Sequence, residues 1–164
     1  MPIPVISFVG RSNSGKTTFI TQLIPHFINR GFKVGSIKHT HHQVQFDTPG
    51  KDSWRHCEAG SSQVVLLTDS QMALFAERPA KQTLQEIADR HFSDFDLVIS
   101  EGFKKEKCLK IEIYRAANQK PPLFSDPEFN IDLVITDDEV PISSLRFDQL
   151  DEACNWVCEK LSLH

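Results

Sequence analysis

The chain has 164 residues and a mass of 18.7 kDa, long enough for one domain with a real core. Apolar residues make up 40% and charged residues 24%, ordinary globular usage, so collagen-like, low-complexity and disulfide-framed classes are excluded. Eighteen basic against 22 acidic residues leave a net charge of −4, which argues against a nucleic-acid coat, and no apolar run approaches the ~20 residues of a spanning helix.

The start, Met1-Pro2-Ile3-Pro4-Val5, lacks the basic residues and long apolar stretch of a secretory leader. The expectation is a soluble, cytoplasmic protein in a single domain spanning residues 1–164. Residues 3–9 read as a buried strand with proline at its edge. A helix over 16–29 follows, with Phe19, Ile20, Leu23, Ile24, Phe27 and Ile28 on one face. Pro25 falls inside it, which predicts a kink, and Gly31 is the expected stop. Residues 33–38 form a short strand, followed by a polar stretch over 39–53. Asp52 or Ser53 caps a short helix over 54–59.

Two strands over 63–68 and 72–76 flank the turn Thr68-Asp69-Ser70-Gln71 and read as a hairpin. A helix over 83–92 and a strand over 95–100 come next. Residues 109–114 form a strand with alternating Leu109, Ile111 and Ile113. Pro121-Pro122 opens an irregular connection. A strand over 131–136 and a helix over 148–161 end the chain. Alternating strands and helices predict an α/β, three-layer fold, its sheet mostly parallel and flanked by helices. The 63–76 pair and the strand at 109–114 are expected to add antiparallel pairing, making the sheet mixed.

Residues 10–17 read Gly10-Arg11-Ser12-Asn13-Ser14-Gly15-Lys16-Thr17, the G-x-x-x-x-G-K-[S/T] phosphate loop. Its glycines let the backbone curl, so that successive N–H groups converge on phosphate oxygens at a helix N-terminus. Lys16 reaches the β- and γ-phosphates and the Thr17 hydroxyl ligates Mg²⁺. The motif follows a predicted strand and opens a predicted helix, as this P-loop chemistry requires.

Such a loop needs a carboxylate near its metal. Glu101 ends an apolar strand and precedes Gly102, the place of an acid that holds Mg²⁺ or orients the attacking water. Asp47, in Asp47-Thr48-Pro49-Gly50, is the second candidate; a plain Pro-Gly turn is the competing reading. Thr136-Asp137-Asp138 follows a late strand. A carboxylate there either pairs with guanine N1 and N2 hydrogens or is simply an acidic turn, which leaves ATP open. Lys38-His39-Thr40-His41-His42 is a metal, anion or partner-facing loop. Cys154 and Cys158 share the apolar stripe of the last helix and read as packing residues, and Cys57 and Cys108 as inert. Lys104-Lys105-Glu106-Lys107 is either a solvated basic loop or the seat of a second anionic ligand.

These blocks together resemble a known family. Ile37 to His42, Asp47-Thr48-Pro49-Gly50-Lys51-Asp52-Ser53, Glu58-Ala59-Gly60, Ser100-Glu101-Gly102-Phe103-Lys104 and Ile113-Tyr114-Arg115 are similar to the signature of molybdopterin-guanine dinucleotide biosynthesis protein B, MobB. The resemblance runs from about residue 4 to about residue 140. It implies a P-loop GTPase of the SIMIBI type, a homodimer, and binding of GTP and Mg²⁺ with weak intrinsic hydrolysis. It also implies an accessory role in attaching GMP to molybdopterin, with a MobA-like guanylyltransferase as partner and the pterin as a further ligand. On that resemblance Gly10, Arg11, Ser12, Asn13, Ser14, Gly15, Lys16, Thr17 and Thr18 hold phosphates. Lys16 and Glu101 carry the chemistry, Thr17, Glu101 and Asp47 the metal, and Asp137 the base. Lys38, His39, Lys51 and Lys104 face the pterin phosphate or the partner. The rivals are a metallochaperone-type GTPase using the histidine loop, a small-molecule kinase, and a nucleotide-gated scaffold.

Overall fold

The structure is a computed structural model that describes residues 2–40, 44–79 and 81–163. The chain forms two compact units, one of Met1–His39 with Thr83–His164 and one of Thr40–Gln82.

The larger unit is built on a six-stranded sheet in the order β2-β5-β1-β6-β7-β8. Its strands are β1 (Val5–Val9), β2 (Val34–Lys38), β5 (Leu97–Glu101), β6 (Leu109–Tyr114), β7 (Leu133–Thr136) and β8 (Ser144–Leu145). Every pairing in this sheet is parallel. The antiparallel pairing expected of residues 109–114 is therefore corrected: β6 lies parallel between β1 and β7. The physical reason is its neighbours. The connections before and after β6 carry the chain back to the same end of the sheet, so each strand starts there and runs in one direction, whereas an antiparallel partner needs only a tight turn.

β1 is buried along its whole length, as its central place demands. Ile6 and Phe8 point to one face, where they meet Leu97, Ile99, Ile111, Ile113, Leu133 and Ile135 from the neighbouring strands. Helices α1 (Lys16–Asn29) and α4 (Leu150–Leu161) cover that face through Phe19, Leu23, Phe27, Ala153, Cys154 and Val157. Helix α1 continues through Pro25 to Asn29. On the opposite face Val5 and Val98 pack against Leu84 and Ala88 of α3 (Leu84–His91). Thr83 and Glu86 form a capping box that fixes where α3 begins.

The rest of that second face, over β6, is covered by residues 116–130, which carry three single-turn 3-10 helices. Their anchors are polar. Glu112 is fully buried and accepts from the backbone N–H groups of Leu123 (2.7 Å) and Phe124 (2.8 Å). Lys110, also buried, donates to the Phe129 carbonyl at 2.8 Å.

The smaller unit holds α2 (Asp52–Glu58) and an antiparallel hairpin, β3 (Gln63–Leu67) with β4 (Met72–Ala76). The predicted turn is present: Thr68 N–H donates to the Gln71 carbonyl at 2.9 Å. The hairpin forms its own two-stranded sheet. Val64 is buried, but Val65, Leu66, Leu67, Met72 and Leu74 are exposed. Among the described residues no helix is long and apolar enough to cross a membrane.

Candidate functional site

The strand order reverses about β1, and such sheets bind ligands at the carboxyl ends of the strands at that point. The register sets three side chains there. Phe8 of β1 pairs with Glu101 of β5, and Glu101 pairs with Lys38 of β2. The phosphate loop leaves β1 one residue later.

Gly10 opens the loop with φ +147°, and a Cβ there would lie 2.4 Å from the Ile113 carbonyl oxygen. Only a glycine fits. Asn13 takes the left-handed conformation at φ 63°, which asparagine tolerates better than most residues. The loop ends at Gly15, the N-cap of α1. No side chain caps this end, and its first turn holds no acidic residue. Its N–H groups are thus left to an anion. The hydroxyl of Ser14 is buried with no partner among the described residues, a further polar group suited to a ligand oxygen.

Lys16 lies back along the loop, donating from Nζ to the Arg11 carbonyl at 2.8 Å and to Gly10 at 3.4 Å. Partial burial pushes its ammonium below the usual lysine range. Glu101 opposes that shift, and the like charges of Lys104 and Lys38 add to it. Thr17 donates its hydroxyl to the Glu101 carboxylate at 3.0 and 3.1 Å. Lys38 Nζ stands 3.2 Å from the Thr17 oxygen and 3.3 Å from both Glu101 oxygens. Gly102 follows at φ +108°, where a Cβ would meet the His39 carbonyl at 2.9 Å. The turn after Glu101 is therefore closed against the chain leaving β2, and His39 N–H donates to the Glu101 carbonyl at 2.9 Å.

The structure brings Lys16, Thr17 and Glu101 together as the sequence predicts. It ties Lys38 into the same cluster, whereas the family resemblance has Lys38 face the pterin phosphate or the partner. The hydroxyl and carboxylate oxygens of Thr17 and Glu101 are hard donors. They suit Mg²⁺, which takes few protein oxygens and fills its sphere with water and phosphate. Thr18 continues α1 beside the loop. Asp47 belongs to the other unit. Its Oδ1 accepts from Thr48 N–H at 2.7 Å, and its Oδ2 is buried without a partner among the described residues. Lys51 is the N-cap of α2 in that unit.

The loop's outer rim is braced by the segment after β6, which the sequence reading missed. Arg11 Nε donates to the Pro121 carbonyl at 3.0 Å, and Asn118 Nδ2 to the Ser12 carbonyl at 3.0 Å. Asp137 follows β7, where Tyr114 pairs with Thr136. Its two oxygens accept from Ala116 N–H (3.1 Å) and from Arg115 (3.3 Å). The one signal for Arg115 in the sequence was its place in the Ile113-Tyr114-Arg115 block.

His39 packs its ring against Phe103 with centroids 5.0 Å apart. His41 and His42 lie outside the described residues. Among the described residues no cluster of three His, Cys, Asp or Glu side chains is arranged to hold a metal. Burial pushes the Cys108 thiol up to about 11 and the Cys154 thiol up to about 12, which makes both poor nucleophiles.

Residues 5–137 match the family described as molybdopterin guanine dinucleotide synthesis protein B. A molybdopterin-guanine dinucleotide biosynthesis adapter protein of Haemophilus influenzae is 47% identical over 122 residues, 73% of this chain and 67% of that one. The adapter protein of that description from Escherichia coli is 37% identical over 149 residues, 82% of this chain and 85% of its own. A crystal structure of molybdopterin-guanine biosynthesis protein B superposes with a TM-score of 0.76 at 28% identity, covering 96% of this chain and 99% of that one.

Proposed function

The chain belongs to the molybdopterin-guanine dinucleotide synthesis protein B family, and on that premise we propose that it is a GTP-binding adapter in molybdenum-cofactor maturation. In this reading it assists the attachment of GMP to molybdopterin and does not itself transfer the nucleotide. One observation carries the nucleotide half: the contact of Thr17 with Glu101 at 3.0 Å, directly beside a phosphate loop with an uncapped helix end.

Backbone N–H groups of residues 10–17 hold the phosphates, with Thr18 beside them. Lys16 turns from the loop carbonyls to the β- and γ-phosphates. The Thr17 hydroxyl and Glu101 carboxylate would hold Mg²⁺, which would neutralise charge on the transferred phosphoryl group. Glu101 also orients the water that attacks the γ-phosphate, and Lys38 keeps Thr17 and Glu101 together. Hydrolysis by the isolated protein is slow, because the Lys38 ammonium is already engaged by Thr17 and Glu101. Asp47 completes the metal site only if its unit delivers it there.

The chain acts as one nucleotide-binding domain in the cytoplasm, with residues 40–82 inserted between β2 and α3. It works as a homodimer. An isolated two-stranded hairpin is marginal alone, and β3–β4 exposes Leu67 and Met72 by 67% and 69%, a surface suited to a second copy. Its functional partner is a MobA-like guanylyltransferase, with the pterin phosphate within reach of Lys104. The test is a pull-down from cell extract with and without GTP. Recovery of a molybdopterin guanylyltransferase that depends on GTP supports the reading; a parent protein that binds neither nucleotide nor transferase defeats it.

A further inference from the structure

On the nucleotide reading above, the base of a bound nucleotide needs a seat beyond the phosphate loop. A cleft of ≈ 660 Å³ lies beside the phosphate loop. It is lined by Gly15, Thr18 and Gln22 from the loop and α1, by Arg115 after β6, and by Phe147 and Asp148 ahead of α4. That volume is in the range of small-ligand sites. Its position is set by the loop: Gly15 and Thr18 flank the two residues that take the phosphates and metal, so a nucleotide held there has its far end at this cleft.

Two features of the cleft point to a flat, polar-edged ring. The first is a prepared stacking surface. The Arg115 guanidinium lies 3.9 Å over the Phe147 ring. Phe147 in turn meets Phe19 of α1 edge-on, at 6.2 Å and 80°. Arg115 is held by one further group and lies close to the phosphate loop. Asp137 accepts from it at 3.3 Å, and a Cβ on Gly15 would come within 3.4 Å of its Nε. Yet 42% of the Arg115 side chain is still exposed, so it is held in place without being covered. Guanidinium planes and aromatic rings are the groups on which nucleobases stack.

The second feature is a carboxylate without work. Asp148 is exposed in the cleft and has no hydrogen-bond or ionic partner among the described residues. Asp137 differs, since both its oxygens are engaged, one by Arg115 and one by Ala116 N–H.

We propose that this cleft takes the guanine base, with Arg115 on Phe147 as the stacking platform and Asp148 as the acceptor that selects guanine. Guanine presents N1–H and the 2-amino group side by side, two donors for one carboxylate. Adenine presents a bare N1 acceptor on that edge and has no 2-amino group. Asp137 is then a positioning residue, which acts on the base through Arg115.

Calorimetric titration of GTP and ATP into the parent protein, Asp148→Ala and Asp137→Asn tests this. The parent is expected to prefer GTP at least tenfold. Asp148→Ala should weaken GTP at least tenfold, leave ATP within about threefold, and keep the parental melting temperature, because the side chain is exposed and unpartnered. Asp137→Asn should weaken both nucleotides by a similar factor and leave their ratio intact. A parental GTP preference in Asp148→Ala overturns the proposal. So does loss of the preference in Asp137→Asn alone, which would make Asp137 itself the reader. Equal binding of both nucleotides by the parent overturns the base site but not the phosphate loop; failure of both to bind overturns the phosphate loop and this proposal with it.

Discussion

Replacing Glu101 by Gln tests the division of labour in the site. The amide keeps the size of the side chain and can still accept from the Thr17 hydroxyl, now 3.0 Å away. What it loses is charge. Two contacts sense that charge, and they differ in weight. Lys38 lies 3.3 Å from the carboxylate, but its side chain is 60% exposed while that of Glu101 is 14% exposed. Exposed ion pairs contribute about 0.2–1 kcal/mol, so the fold should lose less than about 1 kcal/mol. On the proposed reading, a bound Mg²⁺ and the water that Glu101 orients would feel the full charge. Hydrolysis of GTP should therefore fall at least tenfold, about 1.4 kcal/mol of barrier, with nucleotide affinity changed far less. Phosphate release under saturating GTP and Mg²⁺ measures the first, and calorimetry the second. A Gln variant that hydrolyses GTP at the parental rate would refute the assignment and pass the role of the acid to Asp47.

Three further outcomes follow from the same geometry. Lys16→Ala removes a charged donor to the phosphates, so calorimetry should show GTP affinity weaker by about 1.5–3 kcal/mol, in a protein whose far-ultraviolet circular dichroism is unchanged. Gly10→Ala places a Cβ 2.4 Å from the Ile113 carbonyl in a backbone conformation that favours glycine, and thermal unfolding should show a loss of about 1–3 kcal/mol or more together with loss of nucleotide binding. Glu112→Gln removes a buried carboxylate whose pKa burial raises above the usual range, partly offset by the N–H groups of Leu123 and Phe124. A carboxyl raised on folding binds its proton more tightly in the folded chain, so the parent gains stability as pH falls from neutrality toward the ordinary glutamate range, and the variant lacks that gain. Urea unfolding of both proteins at pH 7.5 and pH 5 reads the difference; parallel pH profiles would show that Glu112 is not the group.

The layered fold and half of the site were legible in the sequence because both rest on local rules. A strand, a glycine loop and an amphipathic helix follow one another within residues 3–29, and the phosphate loop needs nothing more distant. Glu101 was legible too, since an acid after an apolar strand lies at the carboxyl edge of the sheet whichever strand it joins. The rest depends on neighbours. Whether residues 109–114 run parallel or antiparallel is decided by β1 and β7, not by the alternation within the strand. That alternation, taken alone, would send Lys110 and Glu112 to water. Both are buried, because residues 116–130 fold over them with little regular structure to announce it. Asn118 gave no signal for the same reason, as a single polar residue in a segment without periodicity, while Arg115 was marked only by its place in the Ile113-Tyr114-Arg115 block.

That buried polar face accounts for how the loop is held. A carboxylate inside a protein is costly unless its oxygens are satisfied, and among the described residues Glu112 accepts from Leu123 and Phe124 N–H. An apolar residue at 112 would suit a covered strand better if packing were the whole task. The charge fixes the path of residues 121–124 instead, and that path presents the Pro121 carbonyl to Arg11. Upstream in the same segment, Asn118 reaches the Ser12 carbonyl. Two successive residues of the phosphate loop thus lean on one strap, whose anchor is the central strand β6. The inner side of the loop is shaped by Gly10 against Ile113 of that same strand. Both sides of the loop therefore refer to β6, so a disturbance there should reach nucleotide binding before it reaches the contacts of Thr17 with Glu101, which are set by β5 and α1.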